Sequence, residues 1–281
     1  MMKIGIVGNG FVGRATALLA SSETVAVYDK NPELCTPSGC ELGSLLSCDL
    51  VFVCVPTPMN KDGSCHTGIV ESLTKELLLL GYPATKTIIR STVPAGTSKR
   101  LGAMFMPEFL TEKNWKEDTY QLEDWVIGFD SLEARNSADK VYDLLLSAHE
   151  KGVIKNKPLL SYTETAAAEL SKYGRNSFLA MKVSFFCELK ELCDKKNIKF
   201  EEVRKLICLD KRINKSHSAI PGPDGKIGYG GTCLPKDISA LFNQMCECGM
   251  ESYIIEAVKA RNIQVDRPEK DWENDKGRVV V

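Results

Sequence analysis

Along the first half of the chain, short apolar runs alternate with segments whose apolar residues recur every three or four positions. Lys3–Gly8 (KIGIVG), Thr24–Asp29 (TVAVYD), Leu50–Val55 (LVFVCV) and Thr85–Ser91 (TKTIIRS) have the length and β-branched content of strands. Phe11–Ala20 and Gly68–Leu80 carry helical spacing between them. Further strand signals fall at Gly102–Met106, Trp125–Phe129 and Val153–Leu160, with a helix between Leu132 and His149. Strands that are apolar throughout, separated by helices, predict an α/β fold: a doubly wound parallel sheet covered on both faces.

The pattern changes after Ser161. From Thr163 to Lys195 there is no proline and one glycine, and Ala167, Leu170, Tyr173, Phe178, Met181, Phe185 and Leu189 stand near helical spacing. Such a helix is on the order of 50 Å long, at 1.5 Å per residue. Helices of that length link two domains or form a subunit contact; on the second reading the chain is a homodimer through this helix. Shorter helices are expected at Phe200–Cys208, Pro235–Cys248 and Ser252–Ile263, then a polar tail, RPEKDWENDKGRVVV. The expected division is a sheet domain over 1–160, a small all-helical domain over 161–265 and a tail over 266–281.

Composition narrows the function. The 281 residues suit about two domains. Lys plus Arg (36) nearly equals Asp plus Glu (37), which argues against nucleic acid or an anionic membrane as the main partner. No apolar run approaches the roughly 18 residues of a membrane span. The N-terminal MMKIGIVGNGFVG breaks into glycines too early for a signal peptide. Eleven cysteines, an odd number with no CxxC, read as reduced thiols of a cytoplasmic protein, and no metal site is expected.

Gly8-Asn9-Gly10-Phe11-Val12-Gly13 is a GxGxxG between the first strand and the first helix. The first glycine serves the tight turn, the second the approach of a pyrophosphate, and the third the packing of helix on strand; the helix N-terminus faces the phosphates. Asp29 ends the second strand, where an acid holds a ribose 2′-hydroxyl and repels a 2′-phosphate. The first domain is therefore read as Rossmann-like, with NAD as cofactor in preference to NADP. Pro56-Thr57-Pro58 ends the third strand, either as a wall beside the ribose or as a turn that stops the strand. Thr92, after the fourth strand, has the same two readings, a hydroxyl near the nicotinamide or a turn residue.

Lys172 and Asn176 share one helix face, either as a solvated stripe or as a cation and an amide for a developing oxyanion. Pro107-Glu108-Phe109-Leu110-Thr111-Glu112 offers two carboxylates. Gly222–Asp237 (GPDGKIGYGGTCLPKD) is the richest stretch. Its proline at a first helical position sets Cys233 at a helix N-terminus with Lys236 nearby, a setting that favours thiolate and makes a nucleophile. Asp237, one turn on, is placed to orient or deprotonate a water.

Together GNGFVG, VPTP, STVPAGT, PEFLTE, ELSKYGRNSFLAMKVSF and GYGGTCLPKD, in that order, resemble the UDP-glucose/GDP-mannose dehydrogenase family, and the wording is nearer to its UDP-glucose branch. The resemblance implies NAD-dependent four-electron oxidation of a nucleotide sugar such as UDP-glucose, alcohol to aldehyde to acid. Cys233 would carry the thiohemiacetal and thioester, Lys172 and Asn176 would stabilise charge on oxygen, and Asp237 would assist hydrolysis. Thr92 and Glu108 would hold water and substrate, Glu112 would lie beside cofactor and sugar, and Lys236 near NAD. Phe109, Leu110, Tyr229 and Gly230 would line the substrate, and Arg212 would reach the neighbouring subunit's substrate. The chain departs from the family at Leu34, where a basic residue is usual. It also stops at Lys276–Val281, which resembles only the first strand of the family's C-terminal UDP-binding domain, so that domain is expected to be absent. Two alternatives are a two-domain β-hydroxyacid dehydrogenase and an NAD-binding subunit that works with a separate UDP-binding chain.

Overall fold

The apolar runs at the head of the chain become the strands of one sheet. The computed structural model describes residues 1–281, and two compact units form: Met1–Thr57 with Thr67–Lys172, and Pro58–His66 with Tyr173–Val281. In the first unit β1 (Lys3–Val7), β2 (Thr24–Tyr28), β3 (Leu50–Val53), β4 (Thr87–Ile89), β5 (Met104–Phe105), β6 (Asp124–Gly128) and β7 (Leu159–Thr163) lie in the order β2-β1-β3-β4-β5-β6-β7. Neighbours pair parallel except β5 with β6, so the last two strands run against the other five. The sheet is thus mostly parallel, as expected, and the one reversal was not legible because apolar runs record burial, not strand direction.

Alternate residues explain why both faces are covered. Ile4, Ile6, Leu50, Phe52 and Ile88 pack on one side with α5 (Leu132–Glu150). Val7, Val51, Val53 and Ile89 pack on the other with Val70 and Leu77 of α2 (Gly68–Leu79). α1 (Phe11–Leu19) joins the first layer, and α3 (Thr97–Leu101) and α4 (Trp115–Gln121) are short connectors. β1 lies between β2 and β3, so the winding reverses at β1 and opens a crevice at the carboxyl ends of β1 and β3. The run expected as a strand over Val153–Leu160 divides instead. Ile154 drops into the core after α5, and pairing begins only at Leu159.

α6 (Thr165–Lys195) starts where Thr165 donates its hydroxyl to Asp130, and it continues from the first unit into the second. There it is joined by α7 (Phe200–Ile207), α8 (Leu234–Glu247) and α9 (Tyr253–Arg261) around Val183, Phe186, Phe200, Tyr229, Ile238 and Val258. Pro58–His66 belongs to this unit: Asn243 Nδ2 donates to the Asp62 carbonyl at 3.1 Å. The polar tail is packed. Trp272 and Val279 are buried, and Met59 exchanges backbone hydrogen bonds with Val279 and Val281 at 2.6 and 3.0 Å. No helix is long and apolar enough to cross a membrane.

Candidate active site

In the first unit the GxGxxG turn follows β1 at the sheet's point of reversal. Gly8 has φ +95°, and a Cβ there would lie 2.7 Å from the Cys54 carbonyl oxygen. A Cβ at Gly13 would overlap the Gly8 carbonyl oxygen, so α1 can pack this close only on glycine. Gly10 faces open space before the N-terminus of α1, beside half-buried Phe11 and Val12. Asp29 accepts the Asn9 N–H at 2.7 Å and the Asn31 N–H at 2.9 Å. An open, donor-rich turn with a fixed carboxylate at the end of the next strand fits a dinucleotide. Exposed Pro56 and buried Thr57 follow β3, and buried Thr92 follows β4, all at carboxyl ends of strands.

The same unit holds a buried charge cluster. Lys172, 3% exposed, donates to the Glu108 carbonyl at 2.5 Å and to its carboxylate at 2.7 Å. Burial works against the Glu108 carboxylate, but the Lys172 charge and hydrogen bond, the Leu110 N–H and the Arg90 charge together hold it below the ordinary carboxylate range. Phe109 lies 5.6 Å from the Lys172 ammonium, Leu110 is buried and Glu112 is exposed. Arg90 escaped the sequence reading, although an arginine inside the apolar TIIRS run was the signal. It is 2% exposed and donates to Thr16 Oγ1 at 2.8 Å beneath α1.

In the second unit Cys233 is the N-cap residue of α8, with Pro235 in the first turn. Its Sγ lies 3.6 Å from Thr232 Oγ1. Lys236 donates to Asp237 Oδ1 and Asn176 to Asp237 Oδ2, both at 2.6 Å. Burial opposes the Lys236 ammonium, but Asp237, Cys233 and Cys65 outweigh it and raise its pKa. All eleven cysteines are thiols, and Cys233 stands apart from the buried ones. Burial pushes the Cys48 and Cys54 thiols up to about 11 and Cys187 up to about 12, well away from reactivity. Cys233 instead meets a helix N-terminus and an ammonium.

The expected site residues thus fall into two groups. Gly8, Gly10, Gly13, Asp29, Thr57, Thr92, Glu108 and Lys172 lie in the first unit, and Asn176, Tyr229, Gly230, Cys233, Lys236 and Asp237 in the second. Tyr229 is buried, and Arg212 is 89% exposed beside Asp210 at 2.5 Å. Sequence reading also missed Asn262 and Arg267, both buried against the glycine loop.

Two family models match the chain. Residues 42–146 match the NAD binding domain of the UDP-glucose/GDP-mannose dehydrogenase family, and residues 166–264 match its central domain. The UDP-glucose 6-dehydrogenase of Pseudomonas aeruginosa is 32% identical over 235 residues, 78% of this chain and 49% of that protein. The chain spans about half the length of the curated relatives it matches. Among solved structures, a UDP-glucose dehydrogenase from Pyrobaculum islandicum superposes with TM-score 0.78 at 25% identity, over 93% of this chain and 68% of that one. A Mycobacterium tuberculosis 3-hydroxyisobutyrate dehydrogenase superposes with TM-score 0.69 over 100% of this chain and 96% of that one. At 15% identity that likeness shows the fold alone.

Proposed function

Because this chain belongs to the UDP-glucose/GDP-mannose dehydrogenase family and carries its NAD-binding domain, we propose that it oxidises a nucleotide sugar, UDP-glucose first among them, from alcohol to acid. The observation that carries the proposal is Cys233 at the start of α8, with the Lys236–Asp237–Asn176 chain of contacts behind it. NAD, held by the Gly8–Gly13 turn with Asp29 at the ribose, would supply the hydride acceptor for two successive oxidations. The second-unit residues supply the covalent steps. The Cys233 thiolate adds to the aldehyde carbon, and its oxygen takes a proton from water to give a thiohemiacetal; loss of hydride from that carbon and of the hydroxyl proton to water gives a thioester. Asp237, positioned by Asn176 and Lys236, takes a proton from the water that attacks the thioester, and acid leaves as the Cys233 thiol is restored. In the first unit the ammonium of Lys172, anchored on Glu108, stabilises negative charge on the reacting oxygen, while Thr92 and Glu108 hold water. Glu112, Phe109 and Leu110 contribute to the sugar site, and Arg212 reaches the substrate of a neighbouring subunit.

We further infer a cytoplasmic homodimer, joined by the exposed apolar face of α6. The test is NADH production with UDP-glucose, UDP-N-acetylmannosamine and GDP-mannose, with stoichiometry. Two NADH per UDP-glucose are expected, and Cys233→Ser should halt turnover no later than the aldehyde. One NADH per substrate, untouched by Cys233→Ser, would sink the proposal in favour of a simple alcohol dehydrogenase on the same fold. NAD binding with no NADH from any of the three sugars would favour a subunit that works with another chain.

A further inference from the structure

The segment after α9 grips the glycine loop that leads into Cys233. α9 passes directly into a π-helical turn, Asn262–Asp266, and Arg267 follows. Fully buried Asn262 accepts the Tyr229 N–H at 2.9 Å and donates to the Tyr229 carbonyl at 3.0 Å. Arg267 is 3% exposed. Its Nε donates to Asp271 Oδ1 at 2.7 Å, and its Nη2 donates to Asp271 Oδ2 at 2.8 Å and to Asp224 Oδ2 at 2.6 Å. The guanidinium therefore joins the segment after α9 to the head of the glycine loop, with the bidentate geometry that only arginine offers. Its Nη1 is buried with no hydrogen-bond partner.

Between those two anchors the guanidinium lies directly against Gly230. A Cβ there would sit 2.5 Å from Nη1 and 2.7 Å from Nη2. A Cβ on Gly228 would overlap Asn262 Oδ1 in the same way. These glycines are sites of close approach as well as turn residues. Gly228 and Gly231 have φ +76° and +74°, so the loop has little conformational preference of its own and depends on what holds it. The central-domain match ends at 264, short of Arg267.

We propose that Arg267 is a positioning residue for Cys233: by clamping the loop at Gly230 it holds the thiol at the start of α8, beside Lys236. This rests on the reading of Cys233 as nucleophile, but it can be tested without dehydrogenation. In the full chain, Cys233 alkylation by iodoacetamide is followed against pH by peptide mass spectrometry. Asp237 and Cys65, the other titratable groups around the Lys236 ammonium, remain in every variant. Arg267→Ala should raise the pH of half-maximal alkylation by roughly one unit, a tenfold loss of thiolate at a given pH. Arg267→Lys should recover part of that shift, because charge returns without the fork. Gly230→Ala, which pushes the guanidinium off the loop from the other side, should shift the profile the same way. Continued protection of Cys54 and Cys187 shows that each variant is folded. A parental profile in folded Arg267→Ala and Gly230→Ala overturns the proposal; if Arg267→Ala does not fold, a parental profile in the other two variants does so. A shifted profile in a protein that yields no NADH from any nucleotide sugar supports the clamp and removes the dehydrogenase reading instead.

Discussion

Two buried carboxylates in the first unit show how neighbours decide a charge. Glu108 faces Lys172 and is held low, so the stability it contributes is full above the ordinary carboxylate range and is lost as pH falls through its depressed value. Glu169 accepts the Gly96 and Ser98 N–H groups at 2.6 and 2.7 Å, yet burial dominates and raises its pKa. Its contribution is therefore present at low pH and fades as pH rises through the raised value. The Lys172–Glu108 pair is the more sensitive of the two, because breaking one side strands a buried charge. Lys172→Met is expected to cost about 3 kcal/mol in urea denaturation at neutral pH. That cost should shrink toward acid pH, because the stranded Glu108 then takes up a proton. Lys172→Met combined with Glu108→Leu should be more stable at neutral pH than Lys172→Met alone. A cost that stays constant from neutral to acid pH would show that the ammonium does not set the carboxylate's charge.

α6 carries two apolar faces, and only one is used within the chain. Toward the core it presents Ala168, Tyr173, Ala180, Val183 and Phe186 together with Glu169, Lys172 and Asn176. On the opposite side Leu170, Phe178, Phe185 and Leu192 are 47, 58, 55 and 51% exposed, about two helical turns apart from one to the next, so they form one stripe along the helix. Helical periodicity announced this helix and its length, but it could not say which stripe was the core. The buried face is interrupted by charged and polar residues, while the exposed face is the more uniformly apolar, so Tyr173 and Phe178 look alike in sequence. Spacing had the same limit at Val153–Leu160, where burial of Ile154 mimics a strand. If the exposed stripe is the dimer seam, Phe178→Asp with Phe185→Asp should turn a dimer into a monomer in sedimentation velocity. Stability of the isolated chain should change by only about 0.5 kcal/mol, as for other exposed positions. A parent chain that sediments as a monomer at all concentrations would remove the seam.

Across the whole molecule the candidate site residues are divided between two units whose borders do not follow the chain. Pro58–His66 leaves the sheet unit to pack with the helical one, and residues 266–281 pack there too, although their polar composition reads as a tail. Short motifs with a fixed mechanical meaning were legible: the GxGxxG turn, Asp29 and the helix start at Cys233. Their supports were not: Arg90 is marked only as a charge inside an apolar run, without its partner Thr16, and Asn262 and Arg267 act across 33 and 43 residues of sequence that no local pattern spans. The division has a consequence for cofactor binding, since every candidate NAD contact except Lys236 lies in the first unit. At NAD concentrations of 100 times the dissociation constant, the chain should gain about 2.7 kcal/mol of stability. In hydrogen exchange, the strongest protection should fall on residues 8–16, 27–31 and 54–57. If Asp29 faces the ribose, it sets the choice of cofactor, because its carboxylate repels a 2′-phosphate and a neutral side chain there does not. In titration calorimetry the parent should bind NAD far more tightly than NADP, and Asp29→Asn should bring the two affinities within about tenfold, a remaining difference of about 1.4 kcal/mol at most. A parent that binds both equally would mean that Asp29, tied up by the Asn9 and Asn31 N–H groups, does not face the ribose.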